Sequence, residues 1–422
     1  MSRRLRSFFL IAGALASCGA IVATSVSPAQ AAATDAWPVF RGDNSHTGFD
    51  SNETQITPGN VGTMTIAWTA TTGGYVTSSP AVADGVMYVG SSDGLLYAFP
   101  ANGCGASTCA PLWTADAHGI VSSSPAVDDG VVYVGSQDGH LYAFPADGCG
   151  QATCEPLWRA KTFDAIESSP TVAGGLVFIG SGDGRLYAYD AAGCGADRCL
   201  PVWSGSTYGN IEQSSPAVAD GTVFIGSFDS GLHAFSASGC GKAHCDEVWR
   251  GRTGGFVQSS PAVADGMVYV GSYDHRLYAF AEGGCAPKVV CRRQWSASTG
   301  GIITSSPAVA DGVVYAASYD GRVYAYDASG CGKLVCHELW HAPAGAFVAS
   351  SPAVANGVVF VGSTDGRILA FPAEGCGASR CTALLKVRTG GPIFSSPAVA
   401  NGNVYVGSDD DNVYVLSLPS SS

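Results

Sequence analysis

The same phrase recurs eight times along this chain: Ser-Ser-Pro-Ala-Val, a turn, Val-Tyr-Val-Gly-Ser, a second turn, and Leu-Tyr-Ala-Phe, with small variations. Its prolines stand at Pro80, Pro125, Pro170, Pro216, Pro261, Pro307, Pro352 and Pro397, a step of 45 or 46 residues. No other feature restricts the fold as much. A repeat of this length means units that cannot bury their apolar faces alone and must stack, in a line or in a circle.

Each unit predicts four short strands. In the first, Ser79–Val82 leads to Asp84-Gly85, then Val86–Val89, then Asp93-Gly94, then Leu95–Phe99. Asp-Gly and Asn-Gly supply the positive φ angles of two-residue hairpin turns, and β-branched and aromatic residues flank them. A fourth strand carries Trp113, Trp158, Trp203, Trp249, Trp295 or Trp340, with Leu385 in the same slot. Outside the N-terminus no stretch has a helical period, so the chain reads as all-β. Eight such units predict a single eight-bladed β-propeller, which closes radially and leaves little exposed sheet edge. The chain ends agree with closure. The last unit stops after Val413–Leu416, before any fourth strand, and an orphan strand, Thr65–Trp68, precedes the first unit. Pairing the two completes the last blade. An open solenoid would need polar capping repeats at both ends, and none is present.

The pattern Pro-x-Val-x-x-Gly-x-Val-Tyr-Val-Gly-x-x-Asp-Gly-x-Leu-Tyr-Ala-x-Asp, ending on a tryptophan, resembles the pyrroloquinoline quinone (PQQ)-type repeat. Here it runs from Pro307 to Asp327 with Trp340, and from Pro170 to Asp190 with Trp203. Trp37–Asp43, followed by Thr47-Gly48, also resembles the N-terminal segment of such proteins. The resemblance covers nearly the whole mature chain and implies the propeller fold. For activity it is less specific. The family includes quinoprotein dehydrogenases, the propeller lipoprotein that assists outer-membrane barrel assembly, and cofactor-free binding propellers. The expected organisation is a signal peptide over 1–31, an N-terminal segment over 32–60, the propeller over 61–418 and a tail over 419–422.

Residues 1–31 have the pattern of a secretory signal: Arg3, Arg4 and Arg6, an apolar run from Phe8, and Ala29-Gln30-Ala31 as the cleavage site. Leu15-Ala16-Ser17-Cys18 also fits a lipoprotein box, which makes lipid anchoring at Cys18 the alternative to simple secretion. The residues after Cys18 stay apolar rather than forming a polar tether, which favours secretion. No later segment could span a membrane. Removing the signal takes three arginines and no acid, so 18 basic side chains face 34 acidic ones, a net charge of −16. Phosphate binding needs clustered Lys and Arg, so a nucleic-acid partner is disfavoured. A monomer is expected.

Apart from Cys18, the cysteines form seven local pairs: Cys104/Cys109, Cys149/Cys154, Cys194/Cys199, Cys240/Cys245, Cys285/Cys291, Cys331/Cys336 and Cys376/Cys381. Each lies between the third and fourth strands, where the ordinary family repeat is shorter. In an exported chain, evenly paired cysteines predict disulfides. A structural zinc needs four ligands; each loop offers two, and only Cys245 has a neighbouring histidine, His244.

Four motifs have plainer readings than their spelling suggests. Gly90-Ser91-Ser92-Asp93-Gly94 matches a nucleophile elbow, but that motif needs a strand-to-helix turn, and here it sits in a hairpin. Arg41-Gly42-Asp43 spells an integrin tripeptide inside the N-terminal segment. Asp409-Asp410-Asp411-Asn412 could offer oxygens to calcium, yet it also reads as an acidic hairpin tip. The repeated Ser-Ser before proline predicts turn and strand hydrogen bonds rather than nucleophiles. A quinoprotein enzyme resembling the family's dehydrogenases would use a catalytic aspartate and calcium ligands, and none can be carried over by motif. The expected chain is therefore a non-catalytic binding propeller without cofactor, with two alternatives: a PQQ- and calcium-dependent dehydrogenase of alcohols or sugars, or a lipoprotein assembly factor resembling the outer-membrane barrel-assembly propeller.

The blades differ on one face. There the position three before each proline varies, including Glu167, Gln213 and Gln258, and so do the tips between strands two and three, with Phe228, Tyr273 and Tyr319 consecutive. Arg276 and Arg322 follow two of those tips. Aromatic and arginine side chains on a rigid scaffold favour binding. These eight residues are the candidate contact surface for a protein or polysaccharide ligand.

Overall fold

Unpaired backbone groups along an open sheet edge are costly, and a ring of small sheets leaves only short, protected edges. The computed structural model, which describes residues 36–285 and 290–419, is that ring: eight sheets, one per repeat. The expected signal segment, Cys18 and residues 420–422 lie outside the described residues. In blade 1 the strands are Ala81–Ala83, Val86–Gly90, Leu95–Pro100 and Trp113–Asp116. The first turn has φ of 50° at Asp84 and 78° at Gly85, the geometry that Asp-Gly is suited to supply. Among the described residues the only helix is a 3-10 turn, Val61–Thr63.

The ring closes as expected. Thr65–Thr71 pairs antiparallel with Asn412–Ser417, and Trp68 lies opposite Val415. This makes blade 8 from both ends of the propeller sequence, so that neither end frays independently.

The blades are not simply four-stranded, because the disulfide loops join in. All seven pairs form, with Cα separations of 5.5–5.7 Å. The second cysteine of each loop reaches back to the preceding blade. Thr153 and Cys154 of blade 2 run parallel to Thr114 and Ala115 of blade 1, and Thr108 and Cys109 of blade 1 do the same to Thr69 and Ala70 of blade 8. Likewise Cys199 of blade 3 lies opposite Ala160 of blade 2, and Cys336 of blade 6 opposite Ala297 of blade 5. Six blades gain a two-residue outer strand in this way. In blade 6 the contact is shorter: Arg380 bridges His341, and the Cys381 N–H donates to the His341 carbonyl at 2.9 Å.

The two cysteines of a pair stand in different surroundings. The first of each pair, such as Cys104 or Cys194, is exposed, whereas the second is buried: Cys109, Cys154, Cys199, Cys245, Cys291, Cys336 and Cys381. The outer strand carries that second sulfur onto the apolar core beneath. Cys199 joins the cluster that holds Trp158, Cys336 the cluster of Trp295, and Cys381 the cluster of Trp340. These seven residues are therefore core side chains of the joint, out of reach of any ligand, and the disulfides brace blade to blade.

Each tryptophan serves the same joint. Trp295 of blade 5 packs against Tyr269, and the Trp295 indole N–H and the Tyr269 hydroxyl both donate to the carbonyl of Ala328 in blade 6, at 3.3 and 2.9 Å. Gly330, two residues further on, has φ of 81° and lies so close that an added Cβ would come within 2.5 Å of Trp295. The ring fits under the disulfide loop of the next blade. Leu385 stands in the tryptophan slot of blade 7, because blade 8 ends after its third strand and has no such loop. There Ile56, Val61 and Met64 pack with Leu385 and seal the joint instead.

The inner strand of each blade presents unpaired backbone groups to the axis, and the N-terminal segment takes them up. Trp37 bridges Val82, and Val127 N–H donates to the Pro38 carbonyl. The Asn44 side chain donates to the Val172 carbonyl, and the N–H groups of Val218, Val263, Val309 and Val354 donate to the carbonyls of Asn44, Ser45, Thr47 and Gly48 at 2.6–2.8 Å. Gly402 of blade 8 donates to Glu53. One strap thus visits all eight blades and plugs the channel.

Candidate functional site

Most of what repeats from blade to blade is used up in holding the wheel together. The first serine of each Ser-Ser-Pro accepts the N–H of the residue twelve positions later on strand two, as Ser78 does from Gly90 and Ser214 from Gly226. The second serine joins blades. The N–H of Ser79 donates to Ser124 Oγ, Ser124 to Ser169, Ser169 to Ser215, Ser215 to Ser260, Ser260 to Ser306, Ser306 to Ser351, Ser351 to Ser396, and Ser396 back to Ser79, all at 2.9–3.0 Å. These eight bonds form an unbroken circle. The aspartate after each strand-two tip accepts from a tyrosine on strand three in six blades, as Asp93 does from Tyr97 at 2.5 Å. In blade 4 His233 replaces that tyrosine, and in blade 7 Leu369 does.

Residues that do not repeat converge on the axis. A funnel of about 380 Å³ opens on the face formed by the loops leading into strand one and the tips between strands two and three. Seven of the ring serines surround its lower part, and Phe40 of the strap closes the bottom. Its wall is built from Tyr75, Gln137, Glu167, Gln213, Gln258, Tyr273, Thr304, Tyr319 and Phe394, among others. Five of the eight candidate contact residues are therefore brought together: Glu167, Gln213, Gln258, Tyr273 and Tyr319. Phe228 stands beside them, stacked on Phe256 with centroids 4.9 Å apart and planes 2° from parallel. Arg276 and Arg322 begin the third strands of their blades, outside the funnel wall, and Arg322 lies 3.8 Å from Asp320.

The wall is polar, partly pre-bonded and weakly acidic. The Gln137 amide donates to Glu167 at 3.2 Å, and the Tyr273 hydroxyl donates to the Gln258 side chain. Burial, and then repulsion from Glu167, raise the Glu212 carboxyl above the usual range. Glu212 and Gln213 belong to the only leading loop lengthened by one residue, which accounts for the 46-residue step between Pro170 and Pro216. The other 46-residue step comes from the longer Cys285–Cys291 loop.

Sequence reasoning missed Tyr75, Phe256 and Phe347. They occupy the position five before the proline in blades 1, 5 and 7, where sister blades carry Ile120, Ala165 and Ile302. An alignment of the repeats at that position would have found them. Phe40 was also missed, since nothing in the strap's composition indicates where it threads.

Other motifs resolve as structural. Arg41 of the Arg-Gly-Asp triplet is buried in the plug, where its guanidinium donates to the Pro307 carbonyl and burial lowers its pKa to about 9. Beside it burial, and then the Arg41 charge, push His46 down to about 3. Asp410 of the acidic tip accepts from Tyr414 and from the Gly390 N–H. Among the described residues no three His, Cys, Asp or Glu side chains gather in a way that could hold a metal. A larger groove of about 550 Å³ lies on the opposite face, between the strap residues Phe49–Glu53 and the turns of blades 6 and 7.

The family described as outer membrane protein assembly factor BamB, a PQQ-type repeat family, matches residues 106–238, 200–284 and 291–375. The chain belongs to that family. No curated protein matches it closely enough to report as a relative. Among solved structures it is similar to BamB from Moraxella catarrhalis, with TM-score 0.65 and 19% identity over 84% of this chain and all of that one. It is also similar to the quinohemoprotein alcohol dehydrogenase from Comamonas testosteroni, with TM-score 0.70 and 16% identity over 93% of this chain and 82% of that one. A computationally designed protein, Ika8, matches at TM-score 0.64 and 17% identity, over 83% of this chain and 99% of that one. An assembly factor, an enzyme and a designed chain share the fold, so the fold alone carries no activity.

The dehydrogenase neighbours raise the question of PQQ, a planar quinone bearing three carboxylates. The funnel does not suit it. Its wall holds no Lys, Arg or His to meet those carboxylates, and Glu167 is its single carboxylate, too few for a calcium site built from several oxygen ligands.

Proposed function

We propose that the mature protein is an exported, non-catalytic propeller that binds a protein or polysaccharide on its funnel face. One observation carries this reading. The repeated side chains (the serine pairs, the tyrosine–aspartate pairs and the tryptophans) are engaged in internal bonds, whereas those that differ between blades gather around one cavity. Differentiated side chains on a rigid, pre-formed scaffold are how a repeat fold acquires a ligand without losing stability. Export is supported by seven disulfides, which persist in an oxidising compartment. Among the described residues no helix is long and apolar enough to cross a membrane.

The test is a thermal-shift series on the mature chain with PQQ plus calcium, set beside an assay for dye reduction with alcohols and sugars. The binding reading expects no rise in melting temperature and no reduction. A rise in both would replace it with a quinoprotein dehydrogenase. The family match favours a second reading, a lipid-anchored factor in outer-membrane protein assembly. That reading needs a diacylglyceryl group on Cys18, and the intact mass of the mature N-terminus decides it.

A further inference from the structure

Resting on that reading, we infer that the funnel takes the free end of a neutral glycan chain. A sugar ring offers two kinds of surface: a flat face of C–H groups and an edge of hydroxyls, each both donor and acceptor. The funnel offers the complement to each.

For the hydroxyl edge there are planar amides on Gln137, Gln213 and Gln258, the Glu167 carboxylate, the Thr304 hydroxyl and the circle of serines. Amides and hydroxyls both donate and accept, so they can meet a hydroxyl in either sense. Ring serines accept an N–H from their neighbours, and in Ser79, Ser124 and Ser169 the hydroxyl proton is left to donate, whereas the Ser215 hydroxyl donates to the Gln213 carbonyl. Thr304 Oγ is buried without a hydrogen-bond partner. A ligand hydroxyl would satisfy it, and buried polar atoms are rarely left unmade.

For the apolar face, Tyr273 and Tyr319 of the wall join aromatic platforms that continue outside the lining and are assembled before any ligand arrives. Phe228 and Phe256 stack, Tyr273 closes on both at 6.2 and 5.9 Å, and Tyr319 and Phe347 pair at 5.0 Å. Phe256 is 46% and Phe347 41% exposed. The electron-rich face of an aromatic ring attracts the weakly positive C–H face of a sugar. Rigid rings lose little entropy on binding.

Charge and shape narrow the class further. With Glu167 in the wall and Glu212 close to it, and no cation in the lining, the funnel repels uronates, sulfated sugars and phosphates. Phe40 and the strap close the bottom, so a chain can enter by its tip and cannot thread through. About 380 Å³ is near the lower end of the roughly 300–1,000 Å³ usual for ligand sites, which suits a terminal residue rather than a long stretch of polymer.

The experiment is calorimetric titration of the mature, disulfide-intact protein with neutral gluco-, manno-, galacto- and N-acetylglucosamine oligosaccharides. The matching polymers, uronate oligosaccharides and a Lys/Arg-rich peptide complete the panel. The inference expects at least one neutral series to bind, with oligomer and polymer equal in affinity per chain end and uronates silent. Tyr273→Ala and the milder Gln258→Ala should each weaken binding about ten-fold, as loss of a central contact does, while Lys242→Ala on the opposite face changes nothing. Circular dichroism and melting temperature check that each variant is folded. Polymer affinity that rises with chain length would overturn end-binding. If no neutral glycan binds but the peptide or a protein binds in a Tyr273-dependent way, the glycan assignment falls and the binding propeller stands. If nothing engages the funnel face, both fall.

Discussion

The backbone N–H of Ser396 donates to the hydroxyl oxygen of Ser79 at 2.9 Å, across 317 residues of sequence. It is the same bond that joins Ser169 to Ser215 or Ser306 to Ser351, so the circle has no distinguishable closing link. Replacing Ser215 by Ala leaves the buried Ser169 N–H without its acceptor and should cost about 1–2 kcal/mol. Ser79→Ala, at the joint of the chain's two ends, should cost the same within about half a kcal/mol. Urea unfolding of the two variants measures both. A much larger loss at Ser79 would mean that the circle is held mainly at its closing seam.

Two glycines of one loop separate backbone strain from crowding. Gly332 has φ of 70° with open space where a Cβ would go, and Gly330 has φ of 81° with Trp295 in the way. Gly332→Ala should cost about 1 kcal/mol, the usual penalty of left-handed backbone in a non-glycine residue. Gly330→Ala should cost about 1–3 kcal/mol more, since the Trp295 ring must be displaced from a packed joint. Equal losses would show that the ring yields freely.

Because each disulfide loop pairs with the blade before it, breaking one should loosen a joint rather than a blade. Replacing Cys104 and Cys109 by Ala should lower stability by about 2 kcal/mol, from the loop entropy returned to the unfolded chain. Hydrogen exchange should then quicken along Thr65–Thr71 and Asn412–Ser417, the closing pair that Thr108 and Cys109 flank. The same change at Cys240 and Cys245 should instead free Trp203–Ser206. Faster exchange confined to the mutated loop itself would contradict the brace.

The sequence made the wheel legible because the wheel is built from side chains that repeat. Period, turn glycines and the orphan strand at Trp68 were enough to give blade number and closure. The strap was not legible, since it holds Val218, Val263, Val309 and Val354 through its own backbone carbonyls, and backbone bonds leave no residue signature. The two-residue outer strands were hidden for the same reason, and with them the burial of Cys154, Cys199 and Cys336. For the funnel, the variable positions pointed to Glu167, Gln213, Gln258, Tyr273 and Tyr319. They also pointed to Arg276 and Arg322, because spacing along a strand start does not reveal which side chains turn toward the axis.

His233 provides a test in which the sign of the effect is fixed in advance. It is buried in blade 4, with Nδ1 2.6 Å from Glu247 and Nε2 3.0 Å from Asp229, and Arg250 lies 3.6 Å from Asp229 and 3.7 Å from Glu247. Burial alone would lower its pKa, but hydrogen bonds to Asp229 and Glu247 and their charges outweigh it, and the net shift is upward. A group whose folded pKa exceeds its unfolded value of about 6.5 binds a proton more readily when folded. Its stabilisation is therefore complete below about pH 6.5 and fades as pH rises through the folded value. In His233→Tyr, which installs the residue that six sister blades carry, that dependence should vanish, since a tyrosine donating to Asp229 stays neutral over the same range. Stability measured by urea unfolding at intervals between about pH 5 and 9 should fall with pH more steeply in the parent than in the variant. Parallel curves would mean that His233 is neutral between its two carboxylates, with one of them holding the proton.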